Sequence, residues 1–194
     1  MKDTAAIFAR DRYVVARRFL NKALLGRFYS YVRKAAEAGT IGMEDTLVPD
    51  TPFAYGDFLT DGLMVSLLPR IEELSGLKLF PTYSYCRVYK HGDVLKRHHD
   101  RPACEVSVSL CLGFEPTKPW PFWIEGPGGP SSINLSPGDA VLYRGTECDH
   151  WREAFDGEHQ AQLFLHYVEQ NGPNAEWKLD KREALGDPRT VSPD

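Results

Sequence analysis

The chain is short of cysteine, of long apolar runs and of net charge, and each shortage removes a class of protein. Its four cysteines, Cys86, Cys104, Cys111 and Cys148, form no C-x-x-C pair and no framework spacing among 194 residues. That argues against a disulfide scaffold and for reduced thiols in a cytosolic protein. No stretch approaches the length of a membrane span, and Met1-Lys2-Asp3-Thr4 leads into a mixed segment without the apolar centre of an export signal. A cytoplasmic protein with no membrane partner is therefore expected. Arg10, Arg12, Arg17 and Arg18 are not read as a transit peptide, because Asp3 and Asp11 interrupt them and Tyr13 to Phe19 reads as a strand of the fold. A net charge of -4 provides no global field to recruit nucleic acid. There is no internal repeat and no low-complexity tract. What the chain does have is 42% hydrophobic and 12% aromatic residues, enough for a real core, and residues 1–194 are read as one domain. Oligomeric state leaves no mark in the sequence.

The pattern of apolar residues divides the chain in two. A strand is predicted at Tyr13 to Phe19. Asn21 then caps a helix whose Leu24, Leu25, Phe28, Val32 and Ala35 recur at helical spacing until Gly39. Residues 40 to 60, with Gly42, Pro49, Pro52 and Gly56, read as a loop. A second helix is predicted from near Asp61 to Gly76, kinked at Pro69, which has no amide proton to give. Residues 20 to 78 are thus helical support. From about 79 to 168 the runs are β-prone and punctuated by Gly and Pro: Thr82 to Tyr89, Glu105 to Leu112, Trp120 to Ile124, Ser132 to Leu135, Ala140 to Tyr143 and Ala161 to Val168. This predicts a mainly β fold with flanking helices, a double-sheet jelly roll buttressed on one side. The tail, 169 to 194, shows mixed charge and at most a turn of helix near Asp180 to Leu185.

Chemistry concentrates in His98, Asp100 and His150. Two neutral imidazoles and one carboxylate form the facial triad that holds non-haem Fe(II) while leaving coordination positions open. An H-x-D pair alone is weak, and the chain has two. His91-Gly92-Asp93 falls where Gly92 marks a turn, so it is read as a polar turn. His98-His99-Asp100 precedes the strand from Glu105, and Pro137-Gly138-Asp139 launches the strand that leads to His150. A metal site needs its third ligand from a different strand, which His150 is placed to supply.

Tyr89-x-x-Gly92-x-x-Leu95-x-x-His98-x-Asp100, followed by Pro137-Gly138-Asp139-Ala140-Val141-Leu142-Tyr143 and His150, resembles the Fe(II)/2-oxoglutarate-dependent dioxygenases, in particular their prolyl hydroxylase-like branch. The resemblance implies a double-stranded β-helix, Fe(II) bound by His98, Asp100 and His150, 2-oxoglutarate and O2 as cosubstrates, and hydroxylation of a C–H bond with release of succinate and CO2. Tyr89 matches a residue at the family's cosubstrate pocket. The chain departs from the family after the distal histidine, where an Arg or Lys usually meets the far carboxylate of 2-oxoglutarate. Here the stretch reads His159-Gln160-Ala161-Gln162.

A buried carboxylate needs a cationic or multiply bonded partner. By strand alternation Arg87 shares a face with Tyr89, so Arg87 is the expected clamp, helped by His159 and Gln160. Ser107, Ser109 and Cys111 share one face of the strand after Asp100, and Val106, Val108 and Leu110 the other. Arg101, Trp120 and Trp151 are candidate substrate residues, with Lys96 and Arg97 a basic flank that would favour an anion. The substrate, a small molecule or a peptide, is not identified. Three alternatives stay open: a cupin-like metal enzyme without 2-oxoglutarate, a non-catalytic β-sandwich binding module, and a zinc protein using Cys148, for which no convincing fourth ligand is found.

Overall fold

A computed structural model describes residues 3–42, 47–115 and 118–187. Helix α1 (Thr4–Asp11) opens with the Asp3 carboxylate accepting from the Ala6 amide. Strand β1 (Tyr13–Ala16) follows, then α2 (Lys22–Glu37), capped by Asn21 accepting from Leu24. Strand β2 (Phe53–Tyr55) precedes α3 (Phe58–Ser75), which continues through Pro69 and stops where Gly76 takes the left-handed conformation at φ 74°. The β core comprises β3 (Leu79–Lys90), β4 (Leu95–His98), β5 (Val106–Glu115), β6 (Phe122–Gly126), β7 (Gly129–Ile133), β8 (Ala140–Arg144), β9 (Asp149–Arg152) and β10 (His159–Glu169).

These strands form two antiparallel sheets, a six-stranded one in the order β1-β8-β5-β10-β3-β2 and a four-stranded one in the order β4-β9-β6-β7. The result is the expected jelly roll. Alternation decides what each face of the large sheet meets. Val106, Val108 and Leu110 of β5 and Ala161, Leu163, Leu165 and Tyr167 of β10 join Val32, Leu63, Met64 and Ile71 of α2 and α3 in the largest apolar core. Each buried Val, Leu, Ile or Met among them contributes about 1.5–3 kcal/mol. The opposite parity, Ser107, Ser109 and Cys111 with Gln160, Gln162, Phe164 and His166, faces the space between the sheets. No helix among the described residues is long and apolar enough to cross a membrane.

Several predicted boundaries shift. α1 was not foreseen, since Phe8 is its one buried residue. β1 ends at Ala16, three residues short of Phe19. α3 begins at Phe58 because Asp57, accepting from the Leu59 and Thr60 amides, is a better cap than Asp61. β2 lies inside the stretch read as loop, and part of that stretch, 43–46, lies outside the described residues. β7 sits earlier than Ser132 to Leu135. The turn in the tail spans Ala175–Lys181 rather than 180 to 185. It is fastened by Arg182, whose guanidinium pairs with buried Asp61 at 3.0 Å and donates to the Thr82 carbonyl.

Candidate metal centre

Strands β4 and β9 are only four residues long, yet their pairing places His98 directly opposite His150. The imidazole centroids stand 4.3 Å apart. Asp100, just past β4, is tethered by its amide to the Gly145 carbonyl at 2.8 Å. Its Oδ1 lies 3.9 Å from His98 Nε2 and 3.5 Å from His150 Nε2. One donor atom from each of the three residues falls within 4.8 Å of the others.

Backbone carbonyls set the tautomers. His98 Nδ1 lies 2.7 Å from the Lys96 carbonyl and His150 Nδ1 3.0 Å from that of Cys148. A carbonyl only accepts, so each Nδ1 carries the proton and each Nε2 turns its lone pair toward Asp100. Burial pushes the His150 pKa down, against the pull of Asp100, which keeps the ring in the neutral form a metal needs. Ser107 Oγ donates to Asp100 Oδ2 at 2.8 Å and lies 2.9 Å from His166 Nδ1. Burial lowers His166 to about 4, so that ring is neutral as well. Gly145 makes this corner feasible: a Cβ there would collide with the Cys104 carbonyl and Asp100 Oδ2.

The donor set, two unprotonated imidazole nitrogens and one carboxylate oxygen on one side of a cleft, fits a divalent transition metal with open positions. Two other groupings fit less well. In Asp100, Cys104 and His166, the thiol is engaged by Tyr83 Oη at 3.0 Å and burial pushes its pKa well up. In Glu115, Glu158 and His159, the imidazole Nε2 is 2.8 Å from Tyr29 Oη on the outer surface. Cys148 joins none of the three groupings found among the described residues, and its side chain packs in the second apolar core.

The triad opens on a cleft of about 550 Å³, its mouth to solvent included, walled by Tyr83, Tyr85, Arg87, Tyr89, Tyr143 and Phe164. Arg87 and Tyr89 therefore share the cleft, as alternation requires, and Arg87 Nη2 donates to Tyr85 Oη at 2.8 Å. Gln160 faces between the sheets, with Nε2 donating to Gln162 Oε1 and Gln162 Nε2 donating to Ser109 Oγ. His159 does not join them. Its neighbour in sequence is Gln160, so pleating sends it to the helix side, against Tyr29 of α2.

Two of the three substrate candidates also point elsewhere. Trp151 alternates with His150 and stacks on Trp123 on the outer face of the small sheet, at 5.8 Å. Trp120 packs edge-on to Tyr89 at 4.9 Å, behind the cleft wall. Arg101 is held by Asp180 at 2.8 Å and lies over Tyr83, so it braces the tail near the rim. Arg97 is paired with Asp149 and Glu125. His91-Gly92-Asp93 is a turn, with Gly92 at φ 84° and Asp93 Oδ2 accepting from the Lys90 amide. A residue the sequence reading passed over, Arg152, is fully buried in the interior two residues after His150.

No protein-family model matches the chain, and no curated protein matches its sequence. Its fold is nevertheless shared with solved structures. A prolyl-4-hydroxylase from Pseudomonas putida aligns with TM-score 0.69 at 18% identity, covering 86% of this chain and 98% of that one. SnoK, a non-heme alpha ketoglutarate dependent carbocyclase from nogalamycin biosynthesis, aligns with TM-score 0.73 at 13% identity over 99% of this chain and 94% of its own. HygX from Streptomyces hygroscopicus, solved with nickel, 2-oxoglutarate and hygromycin B, gives 0.68 at 13%, covering 88% of each chain. The chain thus shares the double-stranded β-helix fold of these structures.

Proposed function

We propose that this protein is a non-haem Fe(II)- and 2-oxoglutarate-dependent oxygenase that hydroxylates a C–H bond of its substrate and releases succinate and CO2. The observation that carries the reading is the convergence of His98 Nε2, Asp100 Oδ1 and His150 Nε2, with both lone pairs aimed inward, on a cleft within this fold. Fe(II) held there would supply the redox chemistry by which one oxygen atom of O2 enters succinate and the other the product. The two histidines supply neutral donors and Asp100 the only anionic one, steadied by Ser107. The walls of Tyr83, Tyr85, Tyr89, Tyr143 and Phe164 keep bulk water from the reacting groups and fix the approach of the C–H bond. Among the similar structures, HygX carries hygromycin B and SnoN a nogalamycin compound. These support a small molecule as substrate ahead of a peptide.

The test is cosubstrate turnover. Protein reconstituted with Fe(II) under air should convert 2-oxoglutarate to succinate, faster when a candidate substrate is added, and Asp100→Ala should abolish this. Iron-loaded protein that yields no succinate with any candidate would favour a metal enzyme that does not use 2-oxoglutarate.

A further inference from the structure

Arg152 is a buried charge without a counter-charge among the described residues. Three other arginines at buried or nearly buried positions have carboxylates: Arg182 has Asp61, Arg101 has Asp180, and Arg144 has Glu169. Arg152 is 1% exposed and pairs with no carboxylate among the described residues. Its Nη1 donates to the Trp120 carbonyl at 2.5 Å, and its guanidinium packs on the Trp120 and Phe122 rings at 4.8 and 5.3 Å. Nε and Nη2 have no hydrogen-bond partner among the described residues. Arginine does not shed its proton, and an uncompensated buried charge is strongly unfavourable, so the position calls for an anion.

We propose that Arg152 anchors the far carboxylate of the 2-oxo acid, in place of the cation that β10 lacks, and that Arg87 does not. The assignment rests on the function proposed above and locates the other end of its cosubstrate. Three features support it. First, the two vacant donors, Nε and Nη2, form one edge of the guanidinium, the fork that meets both oxygens of a carboxylate.

Second, Arg152 follows His150 by two residues on β9, so both side chains face the interior about 6.6 Å apart along the strand. That separation suits a five-carbon diacid with its 2-oxo end at the metal. Third, the rings on which the Arg152 guanidinium packs back the cleft wall, Trp120 against Tyr89 at 4.9 Å and Phe122 against Tyr143 at 5.6 Å. Gln160, the register partner of Tyr89, ends the Ser109–Gln162–Gln160 relay with its Oε1 unengaged among the described residues. Turning both amides over would preserve the relay, with the Ser109 hydroxyl donating, and present the Gln160 N–H groups to an anion instead.

The experiment compares two acids on the Fe(II) protein without oxygen. 2-Oxoglutarate and 2-oxopentanoate have equal chain length, but only the first has a far carboxylate. Binding of each is followed by the visible charge-transfer absorption of its Fe(II) chelate. The wild type should prefer 2-oxoglutarate by about 100-fold, from two charge-assisted hydrogen bonds. In Arg152→Met the preference should fall to within about threefold while 2-oxopentanoate binds as before, and in Arg87→Met it should persist. Persistence in Arg152→Met, or collapse in Arg87→Met, overturns the assignment. If Arg152→Met fails to bind iron, Arg152→Lys decides: it keeps the charge without the fork, and should lose about tenfold in preference, an unchanged preference counting against us. Iron-bound wild type that gives no absorption with either acid overturns the proposed function itself, a different outcome from both.

Discussion

Gly145→Ala tests how the fold holds Asp100. A Cβ on residue 145 would lie 2.9 Å from Ser107 Oγ and closer still to the Cys104 carbonyl and Asp100 Oδ2, whereas ordinary contact begins near 3.4 Å. The Cys104 carbonyl is backbone and cannot swing aside. Asp100 is the group able to give, and it would have to retreat by about 1 Å, the scale at which a misplaced group costs about 100-fold in function. Overpacking should lower stability by about 1–3 kcal/mol. Moving an oriented ligand should lower Fe(II) affinity by about tenfold or more. Urea unfolding and anaerobic Fe(II) titration measure the two effects separately. Wild-type iron affinity in Gly145→Ala would refute the reasoning, whatever happens to the stability, because it would mean that the clash is relieved elsewhere.

Ser107→Ala removes the hydroxyl that donates to Asp100 Oδ2 and should weaken Fe(II) binding by about 10–100-fold, with the circular dichroism spectrum unchanged. Arg182→Met leaves Asp61 buried without its counter-charge and should cost about 3–5 kcal/mol in urea unfolding; a loss under 1 kcal/mol would show that the tail is not fastened there. Burial alone would raise the Asp139 pKa, but the Arg18 amide, the Arg17 guanidinium and the Ser136 amide outweigh it and hold the carboxyl below its usual range. Its stabilising contribution is therefore complete above the ordinary aspartate pKa and is lost as pH falls through the depressed one. Asp139→Asn should lower the unfolding midpoint at neutral pH and narrow its gap from wild type between about pH 5 and pH 2. A constant gap would contradict that sign.

The β core was legible because long strands such as β3, β5 and β10 alternate cleanly, and their parity correctly put Arg87 beside Tyr89. The same parity rule could have excluded His159: adjacent strand residues face opposite ways, and Ala161, Leu163 and Leu165 already mark the odd positions as the helix side. Applied forward from His150, it would have flagged Arg152. A lone arginine in a sequence looks like surface, and only its closure under Trp120 and Phe122 reveals an interior charge. β4 and β9 carry too few residues for a periodic signal, so their histidines were found by motif and not by strand pattern. Trp151 and Trp120 misled because composition cannot assign faces, which here follow from the β9–β6 pairing. The Asp61–Arg182 contact joins residues far apart in the chain and had no local signature. Gly145 likewise gave no turn signal, since its role is to leave room for Asp100 rather than to bend the backbone.

The account depends on three side chains meeting at one metal. Anaerobic titration of the purified protein with Fe(II), repeated for His98→Ala, Asp100→Ala and His150→Ala, tests this most directly. We expect one tight site per wild-type chain and loss of that site in each variant, with the fold retained. Tight binding that survives in His150→Ala, or a wild type that takes up no Fe(II), would contradict it.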